Sequence, residues 1–461
     1  FACSKVAMDT GAKLTGHLTY VGGKDYYDGT ATAVSGLRLI DDYTFSVTIL
    51  ADKIPYYYDL RYIQLLPFSL KYWLGEGVEL KDDGEGCYFA GDFTKEGIEK
   101  QLEYARFNAG EDRVSAGPYN LVAFDKGSLQ ATLTINPNYA GNFEGQKPSI
   151  EKIVVTKTED ATWADALKTG AFNFYDTVTD GNQINTALDI IAEGGFDYVQ
   201  FDRAGYGMLN FQCDFGPTQF EAVRHAVALL LDRNEFANTF CQGWGGVVNG
   251  MYGTGLWQYQ EAEEWLEMTL NPYSYDPEKA KELLKEAGYP DGFTTTLMYS
   301  NTTANQKKAE FYKQQLSEVG IDLELNGMES AVLNEKVQGA DCAGADAEVD
   351  CYLSGWSTST GDADWGLRPM LATESEPPMS YNISYYENEK VDQLLKDGLA
   401  TADEDKRGEI YGEVQDIVWK DLPLLCIAND KNIWATSNNI TGVYLLGDGS
   451  IGMRNARMAA E

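Results

Sequence analysis

The spacing of the apolar residues changes near the middle of this chain, and this change constrains the fold more than any other feature. Before residue 207, apolar residues often alternate with polar ones, as in residues 43–50 and 129–135. A period of two is typical of antiparallel strands with one face in water. From residue 207 onward, spacings of three and four residues predict helices that alternate with strands. The sequence therefore predicts two lobes that differ in secondary structure, and the second is an α/β lobe.

Helices are predicted where apolar residues recur at i, i+3, i+4 and i+7. Pro277 suits the first turn of one helix, and Gly288 suits its end. In the first part of the chain one helix is predicted, and Gly170 ends it. The predicted helices cover residues 161–169, 223–230, 277–287, 309–319 and 410–418, and the predicted strands of the second part cover 294–298, 321–325 and much of 432–446.

Composition limits the class of protein and its partners. The chain has 461 residues, of which 44% are hydrophobic, so we expect a folded protein of two or three lobes. Its 36 basic residues face 71 acidic ones, a net charge of −35, which disfavours binding to nucleic acid or to an anionic membrane surface. No run approaches the roughly 20 apolar residues of a membrane helix, and no signal peptide is recognised.

Motifs for catalysis and for metal binding are missing from the sequence. Its two histidines, His17 and His225, are far apart, which excludes a histidine metal cage and an HExxH helix. Neither a GxSxG nor a GxxxxGK[ST] motif occurs, so we predict no catalytic residue, no metal site and no cofactor. A hydrolase built on two carboxylates stays open. The acidic residues within 341–350 are predicted to form a solvated loop, and Cys342 and Cys351 either form a local bridge or stay unpaired.

Residues 354–369, SGWSTSTGDADWGLRP, form the most unusual segment. Small residues let a ligand approach the backbone, tryptophans supply flat apolar walls, and Asp and Arg can neutralise an ammonium and a carboxylate. The residue types alone are equally consistent with a ligand-binding loop and with a surface loop anchored by buried tryptophans.

Several motifs in order resemble those of a known family. Residues 275–293, YDPEKAKELLKEAGYPDGF, are similar to a signature of extracellular solute-binding proteins of the peptide-binding family, the receptors of dipeptide, oligopeptide, nickel and glutathione ABC importers. AGPY at 116–119, NPNY at 136–139 and VRHA at 223–226 extend the resemblance over nearly the whole chain. Within that family, the GWS, STG, ADW and LRP elements of 354–369 most resemble the glutathione-binding branch.

The resemblance implies an α/β, two-lobed, periplasmic-binding-protein-like fold of type II, with mixed sheets flanked by helices. It implies lobe I at 1–206, lobe II at 207–430 and a return to lobe I at 431–461. Lobe I is expected to be incomplete, because the family's opening segment, with its signal peptide and any lipid anchor, has no match here. Nickel is disfavoured because histidine is scarce, whereas an oligosaccharide ligand stays open.

The implied function is a receptor, not an enzyme, that captures a small peptide, glutathione-like or a di- or oligopeptide, and delivers it to the transmembrane subunits of an ABC permease. Such a protein is extracytoplasmic: periplasmic, or a cell-surface lipoprotein in a Gram-positive bacterium. We expect a monomer.

Site residues follow from the same resemblance. The family's Gly-Trp pair and the next residue match Gly355, Trp356 and Ser357. Peptide-binding members place an aspartate two residues further on, where this chain has Ser359. The ammonium role then passes to Asp362 or Asp364 or is absent, and Asp364 is favoured. Arg368 either binds a ligand carboxylate or ties down its own loop. The predicted ligand-binding residues are Gly355, Trp356, Ser357, Ser359, Asp362, Asp364, Trp365 and Arg368.

Overall fold

The structure is a computed structural model, and several predicted features lie outside the part of the chain that it describes. These features are Ser359, Asp362, Cys342 and the acidic residues within 341–350. The described residues are 1–12, 14–53, 68–110, 112–159, 161–256, 259, 273–339, 344, 351–357, 363–377, 380–445, 451–452 and 456–459.

Helices and strands alternate along most of the described chain. The helices are α1 (Lys5–Met8), α2 (Gly23–Tyr27), α3 (Leu70–Leu74), α4 (Lys95–Phe107), α5 (Trp163–Lys168), α6 (Gly181–Ala192), α7 (Glu221–Leu230), α8 (Arg233–Phe236), α9 (Pro277–Glu286), α10 (Thr303–Ser317), α11 (Ser330–Gln338), α12 (Ala363–Leu371), α13 (Glu389–Ala400) and α14 (Glu404–Asp421). The strands are β1 (Leu37–Asp41), β2 (Thr44–Val47), β3 (Val78–Asp82), β4 (Cys87–Gly91), β5 (Tyr119–Asp125), β6 (Gln130–Ile135), β7 (Lys152–Val155), β8 (Phe174–Val178), β9 (Phe196–Asp202), β10 (Gly205–Phe211), β11 (Gly245–Val247), β12 (Thr294–Ser300), β13 (Asp322–Met328), β14 (Cys351–Ser357), β15 (Leu424–Ser437), β16 (Ile440–Thr441), β17 (Tyr444–Leu445), β18 (Ile451–Gly452) and β19 (Arg457–Met458).

The first part of the chain contains the predicted antiparallel strands. Strand β1 pairs with β2, β3 with β4, and β6 with both β5 and β7, all antiparallel. The predicted helix at 161–169 is confirmed as α5, and Gly170 follows it with a φ of +68°. The expectation that this part is mostly strand was wrong for α4 and α6. Each has a side-chain N-cap, from Thr94 and Asp180, and each buries an apolar stripe.

The predicted helices of the second part are confirmed as α7, α9, α10 and α14, and the predicted strands at 294–298 and 321–325 as β12 and β13. Pro277 opens α9, as predicted, and the Asp276 side chain caps it by accepting a hydrogen bond of 3.0 Å from the Lys279 N–H.

One long strand, β15, pairs with strands from both parts of the chain. The central sheet has the order β11-β15-β10-β14-β12-β13, with β12 parallel to β13 and β14 and the other pairs antiparallel. The first half of β15 pairs with β10 and β11, whereas from Lys431 onward β15 pairs with β9 and β8. Strand β15 thus changes partners after Asp430, and β9 gives way to β10 at residues 203–204.

The buried apolar residues divide in the same way. The largest cluster draws its buried members from Tyr206 to Ala428. Separate clusters join α5 and α6 to Ile433 and Ala435 near the other end of β15. A further cluster packs Leu74, Val78 and Ile98 together. The fold is therefore mixed α/β and two-lobed. The lobe boundaries after residues 206 and 430 remain predictions. Among the described helices, none is both long and apolar enough to cross a bilayer.

Candidate ligand-binding site

A cavity of about 430 Å³ lies among β10, β14 and β15 of the central sheet and helices α10 and α11, and we call it the sheet cavity. Three small residues line it side by side, because Gly207 of β10 is paired with Gly355 of β14 on one side and with Ala428 of β15 on the other. With almost no side chain on three neighbouring strands, a ligand can approach the backbone closely.

The two glycines differ in how much space surrounds them. A Cβ at Gly355 would lie 3.1 Å from the carbonyl oxygen of Tyr206, which is tighter than an ordinary contact. A Cβ at Gly207 would lie 3.6 Å from the carbonyl oxygen of Ala428, at ordinary van der Waals distance. The chain can therefore accept a methyl group at Gly207, although that group would occupy space beside the cavity.

Two tyrosine hydroxyls on the cavity lining are buried and unsatisfied. Tyr206 of β10 is 2% exposed and Tyr312 of α10 is 1% exposed. Within the described part of the chain, neither hydroxyl has a hydrogen-bond partner. Burial raises the pKa of both phenols well above the ordinary value, so each keeps its proton and can donate it in a hydrogen bond. Buried donors without partners are rare, so these two hydroxyls are candidate contacts for a ligand.

The predicted Gly-Trp-Ser run occupies the end of β14, and only Gly355 of these three residues lines the sheet cavity. The Trp356 ring packs edge-on against Tyr381 with 5.4 Å between centroids. Its indole N–H is buried and lacks a partner among the described residues. Ser357 is exposed and pairs with Gly205 of β10. The run is thus adjacent to the cavity, and the Trp356 indole N–H is a buried donor that the described residues leave without a partner.

Asp364 and Arg368 lie together on α12, and neither lines the sheet cavity. The Arg368 guanidinium donates to both oxygens of the Asp364 carboxylate, with Nη2–Oδ1 at 2.8 Å and Nε–Oδ2 at 2.9 Å. The Tyr411 hydroxyl donates to the same carboxylate at 3.1 Å. Trp365, between them in sequence, is 41% exposed. This carboxylate already has the partners that an incoming ammonium would need to replace.

Arg368 makes further contacts within its own region. Its guanidinium also donates to the Glu374 carboxylate at 3.3 Å and to the backbone carbonyl of Leu395 in α13. Burial alone would lower the pKa of Arg368, but the Asp364 carboxylate outweighs it and raises this pKa above its ordinary value. These contacts favour the second role predicted for Arg368, in which it ties down its own loop.

Sequence reasoning missed the charged residues of the sheet cavity, which are Arg203, Lys308 and Asp430. Arg203 and Asp430 lie close to the predicted lobe boundaries. A charged residue at such a boundary could have been selected from the sequence as a candidate ligand contact. Lys308 precedes Ala309 on a helix that was correctly predicted, but no motif distinguishes it from the other lysines. Since the three residues are far apart in sequence, only the fold brings them to one cavity.

A larger cavity, of about 910 Å³, shares Asp430 with the sheet cavity. Arg233 on its lining is 4% exposed and donates to the carbonyls of Val248 and Cys426 at 3.2 and 3.0 Å. Burial lowers the pKa of Arg233 to about 10. None of the predicted ligand-binding residues that the structure describes lines this larger cavity. In the same part of the chain, no group of three or more His, Cys, Asp or Glu residues is placed to hold a metal ion.

A cavity on the central sheet of a two-lobed α/β fold is a candidate binding site for a small solute. The model described as "Bacterial extracellular solute-binding proteins, family 5 Middle" matches residues 16–377. The chain therefore belongs to the bacterial extracellular solute-binding proteins of family 5.

Individual relatives agree with this assignment. The chain is 39% identical over 345 residues to the glutathione-binding protein GsiB of Escherichia coli K12, and the match covers 74% of this chain but only 64% of that protein. Two solved structures are similar in fold. The periplasmic binding protein DppA from Helicobacter pylori, in complex with the peptide STSA, has a TM-score of 0.65 at 20% identity, and the match covers 93% of this chain and 89% of that one. The oligopeptide-binding protein AppA from Bacillus subtilis, in complex with a nonapeptide, has a TM-score of 0.66 at 18% identity, covering 93% and 90%.

Proposed function

We propose that this protein is the receptor of an ABC importer and that it binds a small peptide, glutathione-like or a di- or oligopeptide. The sheet cavity carries this proposal. Backbone groups of three neighbouring strands, two unsatisfied tyrosine hydroxyls and both signs of charge meet there, as a peptide with its amide groups and charged ends requires. Membership of family 5 and the similarity to a glutathione-binding protein support the same ligand class.

The proposed lobes are 1–206, 207–430 and a return at 431–461, with the two crossings near Arg203 and Asp430. The change of partners along β15 and the separate apolar clusters on its two halves support these boundaries. Ligand binding between the lobes would then favour a closed form by bending the chain at the crossings.

Within the predicted site, we assign ligand contact to the segment from Gly355 to Ser357, through backbone groups and the free indole N–H of Trp356. Ser359 and Asp362 continue this segment and stay in the proposal as ligand contacts. Asp364 and Arg368 are assigned a supporting role, in which they hold α12 against α13 and α14. Trp365 is retained as a flat, partly exposed wall for the ligand.

The partners and location follow from the same proposal. The ligand is handed unchanged to the transmembrane subunits of a permease, and the receptor acts as a monomer outside the cytoplasm. Either a periplasmic location or lipid anchoring at a cell surface is compatible with that task.

Isothermal titration calorimetry tests the ligand class. We expect heat of binding with glutathione or with di- and tripeptides, and a rise in the melting temperature with ligand concentration, because a ligand that binds only the folded state stabilises it. Mass spectrometry of the recovered ligand should show it intact. Binding of short oligosaccharides alone would overturn the peptide assignment, and turnover of a peptide or sugar would overturn the receptor assignment.

A further inference from the structure

Two cationic side chains on the lining of the sheet cavity have no acidic partner among the residues that the structure describes. Arg203, at the link between β9 and β10, and Lys308, on α10, are both half-buried and both line this cavity. Throughout the part of the chain that the structure describes, neither side chain forms an ion pair or a hydrogen bond. Acidic residues outnumber basic ones by 71 to 36 in this chain. With that excess, two basic side chains at one cavity without an ion pair to any described residue are unexpected. Their unpaired charges are available to an anionic ligand.

One carboxylate shares the cavity with these cations. Asp430 of β15 lines it and accepts a hydrogen bond of 2.8 Å from the Cys241 thiol. Burial and then the Asp430 carboxylate raise the pKa of Cys241, while Lys308 acts in the opposite sense. The Lys308 ammonium lies 6.0 Å from the centroid of the Phe236 ring, which also lines the cavity. Among the described residues, the charged lining of the cavity thus consists of two cations and one anion.

We propose that this charge set selects peptides that carry two carboxylates and one ammonium: Arg203 and Lys308 each bind one carboxylate, and Asp430 binds the ammonium. This inference rests on the proposed function and specifies its ligand. A γ-glutamyl tripeptide such as glutathione carries these three groups, whereas a tripeptide with neutral side chains carries only one carboxylate. A cavity of about 430 Å³ falls in the size range of small-ligand sites.

The test compares three ligands on two variants by calorimetry. The ligands are glutathione and its two monoamides, each of which lacks one carboxylate. Lys308→Met removes the proposed carboxylate partner, and Lys307→Met, its exposed neighbour on α10, is the matched control. The wild-type protein should bind glutathione about 10- to 100-fold more tightly than either monoamide, as expected for a charge-assisted hydrogen bond. Lys308→Met should weaken glutathione binding by a similar factor but change the affinity for one of the monoamides less than about 3-fold. Lys307→Met should bind all three ligands like the wild type.

The possible results separate this inference from the proposed function. If Lys308→Met lowers the affinity for all three ligands equally, or for none, then Lys308 does not recognise a carboxylate and the inference is wrong while the receptor stands. If the wild-type protein binds neither glutathione nor any peptide, the proposed function itself fails. Lys308→Arg keeps the charge and should retain most of the preference for glutathione, so a fold defect in Lys308→Met would still leave the proposal testable.

Discussion

Asp364 and Arg368, one turn apart on α12, form a bidentate ion pair whose side chains are only 7% and 17% exposed. The Tyr411 hydroxyl from α14 donates to the same carboxylate, and Arg368 reaches the Leu395 carbonyl of α13. Three helices therefore meet at one buried pair. The residue that the sequence favoured as the ammonium partner of a ligand has the surroundings of a structural anchor.

We expect Asp364→Ala to destabilise the protein strongly. The change leaves the Arg368 charge buried without its main partner, which costs about 3–5 kcal/mol in comparable buried pairs. The free energy of unfolding from urea titration measures this cost. Glu374→Gln, at the 56% exposed outer partner of Arg368, is the control and should cost less than about 1 kcal/mol. A stable Asp364→Ala variant that no longer binds peptides would instead support the ammonium role.

Gly207→Ala should weaken ligand binding while the fold is kept. Its Cβ fits against the Ala428 carbonyl at 3.6 Å, but it would occupy space beside the sheet cavity, and one methyl group can change affinity by roughly 10-fold or more. Calorimetry with the best peptide ligand gives the affinity. Gly408→Ala, on the exposed face of α14 with open space around it, is the control. It should leave binding unchanged and stabilise the helix by about 0.5–1 kcal/mol. Equal affinities for the two variants would show that the ligand does not use this part of the sheet.

Tyr206→Phe should lower the affinity for the ligand without lowering the stability of the ligand-free protein. The lost hydroxyl is buried and has no hydrogen-bond partner among the described residues, so the ligand-free variant should be as stable as the wild type or up to about 1 kcal/mol more stable. If the ligand accepts a hydrogen bond from this hydroxyl, its affinity should fall by about 2- to 12-fold. Tyr273→Phe serves as the contrast, because its hydroxyl donates to the Trp419 carbonyl at 2.7 Å and its loss should lower stability. An unchanged affinity in Tyr206→Phe would remove this hydroxyl from the site.

The stability of the protein should fall as the pH drops below about 6.5, in part because of His17. This residue is 3% exposed and stacks on Tyr27 with 4.4 Å between centroids. Burial, followed by the nearby Lys24, lowers the pKa of His17 below its ordinary value of 6.5. As the pH falls, the unfolded chain therefore binds a proton at His17 that the folded protein does not bind, and this favours unfolding at acid pH. Melting curves between pH 8 and pH 5 should show a smaller decline for His17→Phe than for the wild type. Parallel declines would contradict the assignment.

Local patterns predicted several helices and strands of the second lobe, because the apolar periodicity that indicates each of them lies within its own residues. The apolar stripe of α10, with Ala309 and Tyr312 on one face, places those residues in the core without reference to the rest of the chain. Helix α4 was missed because only two of its residues, Ile98 and Ala105, are fully buried, so its stripe is narrow against a polar background. The alternation around Phe45 did predict strand β2, yet that side chain is exposed. Periodicity indicates the conformation, whereas burial depends on what covers the strand.

The sequence by itself determined the alternation of helices and strands in the second lobe and, through its ordered motifs, the family. It did not determine the roles of the charged residues. Asp364 and Arg368 are close in sequence and resemble ligand contacts by residue type, but packing against α13 and α14 buries them as a mutual pair. Arg203, Lys308 and Asp430 are separated by more than a hundred residues and meet only through strand pairing and helix packing. A charge acquires its role from the partners that surround it in the folded chain, and only the tertiary structure supplies those partners.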